Sequence, residues 1–255
     1  MRRDCSAWRF SNLATFVLVH GSWHGGWCFD EVAAQLSLLG HSVVSPDLPG
    51  MGGDGETMRA VTLDGWAEFI ADHCRNAPSR PVVLAGHSRG GLVASQAAEL
   101  APEAIDALVY ICAMMLPDGL SRASFKAERG PNPAFDRIVS PVFNGAGTVV
   151  DQALAGEVFA QLAPPAAVAV AMARLVAEPH PPRSAAMKLT PERFGSLPRT
   201  YVECTYDRVI SLDDQRAMQA LVPGARVVTL EADHSPFLSR VEELVSALIG
   251  AIPSP

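Results

Sequence analysis

The sequence lacks a long apolar run and carries little charge. The first absence argues against a membrane protein, and the second argues against a nucleic-acid-binding protein. Its longest apolar stretches are interrupted by Gly, Pro, His or charged residues before they reach the roughly 18 to 20 residues of a membrane helix, so we expect no membrane partner. Charged residues make up 18% of the chain, and acidic residues outnumber basic ones by 27 to 20. The net charge of −7 offers no basic surface, so we expect no nucleic-acid partner.

Cysteine is also sparse, and no two cysteines are spaced as a CxxC pair. The scattered positions predict buried free thiols in a reducing cytoplasm, rather than a disulfide framework or a zinc site. These positions are Cys5, Cys28, Cys74, Cys112 and Cys204. The N-terminus has no continuous apolar stretch of the kind a signal peptide needs, since Asp4, Trp8, Arg9 and Asn12 interrupt it. We therefore interpret it as a short irregular lead-in to a cytoplasmic protein.

Apolar residues, in contrast, are plentiful: they make up 49% of 255 residues, enough for a large core in one domain or in one domain plus a lobe. Short β-rich runs alternate with segments of helical period, which predicts an α/β fold with a doubly wound, mostly parallel sheet. Strands are predicted at residues 15–20, 41–47, 81–86, 105–113, 199–204 and 225–231, and helices at residues 28–40, 62–77, 88–102, 212–224 and 236–252.

Residues 117–196 break this alternation. The interval has no convincing strand, is rich in Pro, Ala and Met, and shows apolar residues at helical spacing. A structureless loop of that length is unusual inside a compact domain, so the interval predicts a mostly helical insertion after the fourth strand. The predicted organisation is an α/β core of residues 1–116 and 197–255 with a helical cap of residues 117–196.

The segment "GHSRG" at residues 86–90 matches the pattern G-x-S-x-G between a predicted strand and a predicted helix. In this setting the pattern is typical of a nucleophile elbow, a sharp turn that lifts a serine hydroxyl clear of the sheet. Glycines on both sides allow the turn to pack closely, and the helix N-terminus stabilises negative charge nearby. Ser88 is therefore the candidate nucleophile.

A serine hydroxyl needs a base to take its proton and a carboxylate to orient that base. His234 follows the last predicted strand and is the candidate base, and Asp207 follows the strand before it and is the favoured acid. Both lie at the carboxyl edge of the sheet, where open α/β folds bind ligands. Asp118, which follows the fourth strand, is the alternative acid, whereas Asp233 is expected to point away from the base.

An oxyanion hole requires two backbone donors beside the nucleophile. We predict the amide of Arg89 as one donor and the amide of Ser22 as the other, with Trp23 next in the same glycine-bearing loop. The histidines of these segments lack the companion carboxylates or cysteines of a metal site, so we expect neither a metal nor another cofactor. These histidines are His20, His24 and His87.

Residues 15–250 resemble the α/β-hydrolase superfamily, in the branch of plant methyl esterases, hydroxynitrile lyases and bacterial esterases similar to pyrethroid hydrolases. The resemblance is carried by "FVLVHGSWHGGWCF", "DLPGMG", "GHSRGG", "LTPERFGSLPRTYVECTYD" and "DHSPFLSRVEEL". It implies a triad of Ser88, Asp207 and His234, the oxyanion amides of Ser22 and Arg89, and a cap that forms the substrate pocket.

Two departures from the branch narrow the expected chemistry. Its lyases carry a lysine directly after the catalytic histidine and a threonine after the first histidine of the oxyanion loop. This sequence has Ser235 and Gly21 there, which disfavours cyanohydrin cleavage. Arg89 stands where the family more often has Met, Leu or Phe, and its side chain either pairs with an acidic residue or influences the pocket entrance.

The sequence thus predicts a serine hydrolase that cleaves carboxylic esters of small to medium hydrophobic substrates through an acyl-enzyme. Lactone, amide or carbon–carbon bond hydrolysis by the same triad, and a non-hydrolytic ligand-binding function, are the alternatives. The expected partner is a small-molecule ester, and the oligomeric state stays open, with a homodimer as one option. An apolar ester fits the predicted pocket better than a charged one. Pocket candidates are Trp23, Met114, Phe125, Phe159, Met172 and Phe237.

Overall fold

A six-stranded parallel sheet forms the centre of the structure, a computed structural model that describes residues 13–254. Its strands are β1 (Thr15–Val19), β2 (Ser42–Val44), β3 (Val82–His87), β4 (Ala107–Ile111), β8 (Arg199–Cys204) and β9 (Arg226–Leu230). Their order in the sheet is β2-β1-β3-β4-β8-β9, and every neighbouring pair is parallel. All six predicted strands are therefore present, and the predicted α/β architecture is confirmed.

The central strands are apolar on both faces, as a parallel sheet covered by helices requires. Every residue of β1, β3 and β4 is buried. Because successive side chains point to opposite faces, Phe16 and Leu18 of β1 enter one apolar cluster, whereas Val17 and Val19 enter the other. The two faces of the sheet therefore have separate cores.

Helices cover both faces, which makes the sheet doubly wound. Helices α3 (Leu63–Arg75) and α4 (Gly90–Leu100) pack in the core that contains Val17 and Val19, whereas α1 (Asp30–Leu38) and α11 (Val241–Ile249) pack in the core that contains Phe16 and Leu18. The last predicted helix is divided in two at Arg240. The helices outside residues 117–196 are α1 (Asp30–Leu38), α2 (Gly55–Ala60), α3 (Leu63–Arg75), α4 (Gly90–Leu100), α9 (Leu212–Leu221), α10 (Pro236–Ser239) and α11 (Val241–Ile249).

Residues 117–196 contain strands as well as helices, so the prediction that this interval has no strand was wrong. A three-stranded antiparallel sheet is formed by β5 (Val139–Val142), β6 (Gly147–Val150) and β7 (Glu178–Pro179). These strands are only two to four residues long and include prolines, so they show no alternating apolar pattern. The helices are α5 (Arg122–Arg129), α6 (Pro133–Asp136), α7 (Gln152–Phe159) and α8 (Pro165–Ala173).

The four described cysteines are free and buried, as predicted, and burial raises the pKa of Cys74 to about 12. Cys5 and the predicted irregular lead-in lie outside the described residues. Over residues 13–254, the structure has no helix whose length and apolar character would let it cross a membrane.

Candidate active site

The turn at residues 86–90 holds Ser88 at the carboxyl end of β3 in a left-handed backbone conformation, with φ of +53°. The two flanking glycines are required by close packing. A Cβ on Gly86 would lie 2.5 Å from the carbonyl oxygen of Gly90, and a Cβ on Gly90 would lie 2.5 Å from that of Val19. Side chains at these positions would push the helix and the neighbouring strand away, so the strained serine depends on both glycines.

Ser88, His234 and Asp207 form one chain of hydrogen bonds. The Nε2 atom of His234 lies 3.0 Å from the Ser88 Oγ, and its Nδ1 lies 2.7 Å from the Asp207 Oδ2. All three side chains are buried. Because a carboxylate only accepts, the Nδ1–H of His234 donates to Asp207, and Nε2 is left to accept the serine proton.

The carboxylate of Asp207 is itself fixed by backbone donors. Its Oδ1 accepts hydrogen bonds from the amides of Val209 at 2.7 Å and Ile210 at 3.0 Å, which leaves Oδ2 for the histidine. The alternative acid, Asp118, is exposed, and its Oδ1 accepts from the Leu189 amide at 2.9 Å. The structure therefore brings Asp207, and not Asp118, to the histidine.

The backbone that carries His234 is fixed from two sides. The Nε2–H of His87 donates to the His234 carbonyl oxygen at 2.7 Å, and burial lowers the pKa of His87 well below its usual value. The Oδ1 of Asp233 accepts from the Ser239 hydroxyl at 2.7 Å, and its Oδ2 accepts from the Leu162 amide at 2.7 Å. Asp233 thus points away from the base, as expected, and joins this loop to residues 117–196.

The loop after β1 is held by two buried, neutral histidines. His20 donates from Nδ1 to the Gly21 carbonyl at 2.9 Å and accepts the Leu48 amide at Nε2 at 3.0 Å, and burial lowers its pKa to about 4. The Nδ1 of His24 donates to the Ser22 carbonyl at 2.7 Å, and burial lowers its pKa to about 3. Both rings therefore shape the loop as uncharged groups.

This loop lies directly against the nucleophile. A Cβ on Gly21 would lie 2.8 Å from the Cβ of Ser88, so only glycine allows this approach. Within the described part of the chain, neither the amide of Ser22 nor that of Arg89 donates to another protein group, and both residues line the same cavity as Ser88. Two unused backbone donors are thus available beside the serine, as an oxyanion hole requires.

The sequence and structure of this chain were compared with those of known proteins, and the comparison shows its family. Residues 16–247 match the model of the alpha/beta hydrolase family. The chain belongs to the α/β-hydrolase family. It is 30% identical over 257 residues to Methylesterase 7 of Arabidopsis thaliana, covering 94% of this chain and 96% of that protein. It is also 30% identical to the pyrethroid hydrolase of Sphingobium wenxiniae, covering 92% of this chain and 86% of that protein.

A solved structure agrees with this assignment. The crystal structure of a pyrethroid hydrolase from Sphingobium faniae aligns with a TM-score of 0.82 at 28% identity, covering 95% of this α/β-hydrolase and 98% of that chain. Tomato methylketone synthase I aligns with a TM-score of 0.83 at 21% identity, which shows the same fold.

A narrow cavity of about 20 Å³ reaches Ser88 in this α/β-hydrolase. Trp23, Met114 and Phe135 line it, and so do Val209 and Ile210, which the sequence did not single out. Three further lining residues are the basic Arg89, Arg122 and Lys126. A larger groove of about 730 Å³ lies between α7 and α8 and contains none of the residues of the hydrogen-bonded chain.

The remaining pocket candidates lie around this cavity and are not among the described residues that line it. Phe159 stacks on Trp23 at 5.9 Å, and its ring lies 6.1 Å from that of His234. Met172 belongs to the same apolar cluster as Phe159. Phe125 belongs to the same apolar cluster as Met114, and Phe237 packs edge-on against His87, with the ring centroids 5.0 Å apart.

The side chain of Arg89 forms a buried ion pair with Glu178 of β7. Glu178 also pairs with Arg183, and the Arg89 guanidinium lies 4.4 Å from the ring centroid of Trp66. Burial alone would raise the pKa of Glu178, but the charges of Arg183, Arg89 and Arg122 lower it to about 2. The first sequence-based alternative for Arg89, pairing with an acidic residue, is therefore found.

Three buried side chains of ligand type also meet beside the site: His87, Cys112 and His234 have ligand atoms within 4.8 Å of one another. Both ring nitrogens of His234 are already bonded, to Ser88 and Asp207. Burial raises the pKa of the Cys112 thiol well above its usual value, which keeps it from being the thiolate that metals prefer. These three side chains therefore pack together beside the base and are not a suitable set of metal ligands.

Proposed function

We propose that the protein is a cofactor-independent serine hydrolase that cleaves carboxylic esters through an acyl-enzyme. The observation that carries this proposal is the hydrogen-bonded chain from Ser88 through His234 to Asp207, with two unused amides beside the serine. The names of the relatives, a methylesterase and a pyrethroid hydrolase, support ester substrates.

The first half-reaction forms the acyl-enzyme. The Ser88 Oγ attacks the ester carbonyl carbon while the Nε2 of His234 takes the hydroxyl proton. The amides of Ser22 and Arg89 stabilise the negative charge on the carbonyl oxygen. When the tetrahedral intermediate collapses, the protonated His234 gives its proton to the departing alkoxide, and the alcohol leaves.

The second half-reaction releases the acid. His234 removes a proton from a water molecule as the water attacks the acyl carbon, and the resulting tetrahedral intermediate expels the Ser88 oxygen. The same histidine returns the proton to that oxygen. Asp207 keeps the proton of the neutral imidazole on Nδ1 and stabilises the imidazolium formed in both halves.

Residues 117–196 act in this proposal as a cap over the core of residues 1–116 and 197–255. They supply Arg122, Lys126 and Phe135 to the cavity above the nucleophile. A cavity of about 20 Å³ has room for about one water molecule, so a substrate enters when this segment shifts outward. The cytoplasmic location and a homodimer stay predictions.

Replacing Ser88 with Ala tests the proposal. Hydrolysis of short p-nitrophenyl esters is expected to fall by about 10⁴-fold or more, because the nucleophile is lost while the fold is kept. A fluorophosphonate should form one covalent adduct on Ser88, located by mass spectrometry. The matched control is Ser37→Ala, at an exposed position of α1, which should keep full activity. Near-normal turnover by the Ser88→Ala protein would rule the mechanism out, and turnover of lactones or amides alone would favour the alternative substrates.

A further inference from the structure

The cavity above Ser88 has an unbalanced set of charges. Arg89, Arg122 and Lys126 line it, and none of its described lining residues is acidic. Arg89 is bound to Glu178, whereas Arg122 and Lys126 have no ion-pair partner in the part of the chain that the structure describes. Two cationic side chains are therefore available next to the nucleophile.

Both of these cations come from one face of α5. They are four residues apart, a spacing that places side chains one above the other on a helix. Lys126 lies in the last turn, where the helix dipole favours a cation, but Arg122 is the first residue of the helix, where the dipole disfavours one, and two like charges at this spacing repel each other. Local helix stability therefore does not explain Arg122. Arg129, on the same helix, has a partner: its Nε lies 2.6 Å from the Oδ1 of Asp214.

The neighbourhood of Arg122 adds to the excess of positive charge. Burial is the main cause that lowers its pKa to about 10; the nearby cations Arg183 and Arg89 lower it further, whereas Glu178 and Asp136 raise it, so the guanidinium is still protonated at neutral pH. Glu178 is the single buried carboxylate shared by these arginines, and it is engaged with Arg89 and Arg183. Three arginines, Arg89, Arg122 and Arg183, thus share one buried carboxylate, and an anionic ligand would relieve the unfavourable excess of buried positive charge.

We propose that the preferred substrate is an ester that carries a second, free carboxylate, bound by Arg122 and Lys126 while the ester carbonyl lies at Ser88. This inference rests on the proposed ester hydrolysis and names its substrate class. It adds a carboxylate to the apolar ester expected from the sequence, and the rings of Trp23 and Phe135 contact the carbon chain between the two groups. Hydrolysis consumes one water and yields the alcohol and the acid, with the carboxylate of the substrate unchanged.

Matched pairs of charged and neutral esters test this preference and show which half of the ester carries the carboxylate. For the acyl side the pair is 4-nitrophenyl hydrogen adipate and methyl 4-nitrophenyl adipate. For the alcohol side the pair is 4-acetoxybenzoate and its methyl ester. The wild-type protein should have a kcat/KM about 10- to 100-fold higher for the charged member of at least one pair, the gain expected from hydrogen bonds to a charged group. Added salt should reduce that ratio.

The double variant Arg122→Gln, Lys126→Gln should remove the preference. It should raise KM for the charged ester by about 10- to 100-fold and leave kcat/KM for the neutral ester within a few-fold. Arg129→Gln, the same substitution elsewhere on α5, should keep the wild-type ratio. Equal rates for both members of both pairs in the wild-type protein, or an equal loss for both members in the double variant, would overturn the proposal.

A binding measurement separates failure of this inference from failure of the proposed function. If the wild-type protein turns over no ester and takes up no fluorophosphonate, the hydrolase assignment fails. Calorimetric titration of adipate into the wild-type protein and the double variant then decides the anion site alone. Adipate that binds the wild-type protein at least ten-fold more tightly than the double variant supports the site, and equal or absent binding refutes it.

Discussion

Replacing Glu178 with Gln tests how far the buried ion cluster stabilises the fold. Glu178 is fully buried between Arg89 and Arg183 and accepts a hydrogen bond from the Thr148 hydroxyl at 3.3 Å. Glutamine has nearly the same shape, so the substitution removes the charge without opening a cavity. It leaves two buried guanidinium groups without their shared counter-charge, which is the costly way to break a buried ion pair.

The expected loss in the free energy of unfolding is about 3 kcal/mol. The surrounding arginines lower the pKa of Glu178 from 4.5 to about 2, and each pH unit of such a difference corresponds to about 1.4 kcal/mol of stability. Removal of one partner from a buried pair costs about 3 to 5 kcal/mol in other proteins, which agrees. Glu68→Gln is the control, because Glu68 pairs with Arg75 at the surface, and we expect the unfolding free energy to stay nearly unchanged.

Urea unfolding of both variants at several pH values measures this difference. A lowered folded-state pKa means that the carboxylate stabilises the protein fully above pH 4.5 and loses this effect as the pH falls towards about 2. The gap between the wild-type protein and the Glu178→Gln variant should therefore be largest near pH 7 and about half or less of that at pH 3. Equal stabilities at pH 7, or a gap that does not shrink at low pH, would refute the reasoning.

Four further substitutions test individual contacts. Asp207→Asn should lower kcat by about 10⁴-fold and Asp118→Asn should leave it unchanged, so equal losses in an ester assay would contradict the assignment of the acid. Gly21→Ala should lower kcat/KM by about 100-fold or more because its Cβ would displace Ser88, and unaltered activity would show that the loop yields freely. Asp233→Ala should lower the free energy of unfolding by about 2 to 3 kcal/mol, since the buried amide of Ser235 and two partly buried donors lose their acceptor, and an unchanged urea midpoint would contradict this.

The core of the fold could be predicted because its strands are continuous apolar runs whose alternate side chains enter two separate cores. The same regular strand order made it possible to predict the three hydrogen-bonded residues of the site. Ser88, Asp207 and His234 each follow the carboxyl end of a strand, so parallel strand order alone brings them to one edge of the sheet. The choice between Asp207 and Asp118 needed the structure, since both follow strands and only side-chain direction separates them.

The cavity could be predicted in part, at Trp23 and Met114, but much of its lining is set by how residues 117–196 pack on the core. Strands as short as Glu178–Pro179 have no sequence period, so the position of Glu178 beside Arg89 was invisible in the sequence. The pair Arg122 and Lys126 left a weak signal, two cations on either side of the buried Phe125 at helical spacing. The sequence analysis instead chose aromatic and sulfur-containing residues of the same interval as pocket candidates, and several of them are packed in the interior.

The ion pair between Arg89 and Glu178 also limits how this protein can be recombined with its relatives. Arg89 belongs to the nucleophile turn and Glu178 to the inserted segment, so the two halves of the pair would come from different parents in a chimera made by exchanging residues 117–196. A donor segment without an acid at that position would leave a bare guanidinium beside Ser88. A chimera that exchanges this segment therefore has to keep an acidic residue at position 178, or Arg89 has to be replaced by an apolar residue at the same time.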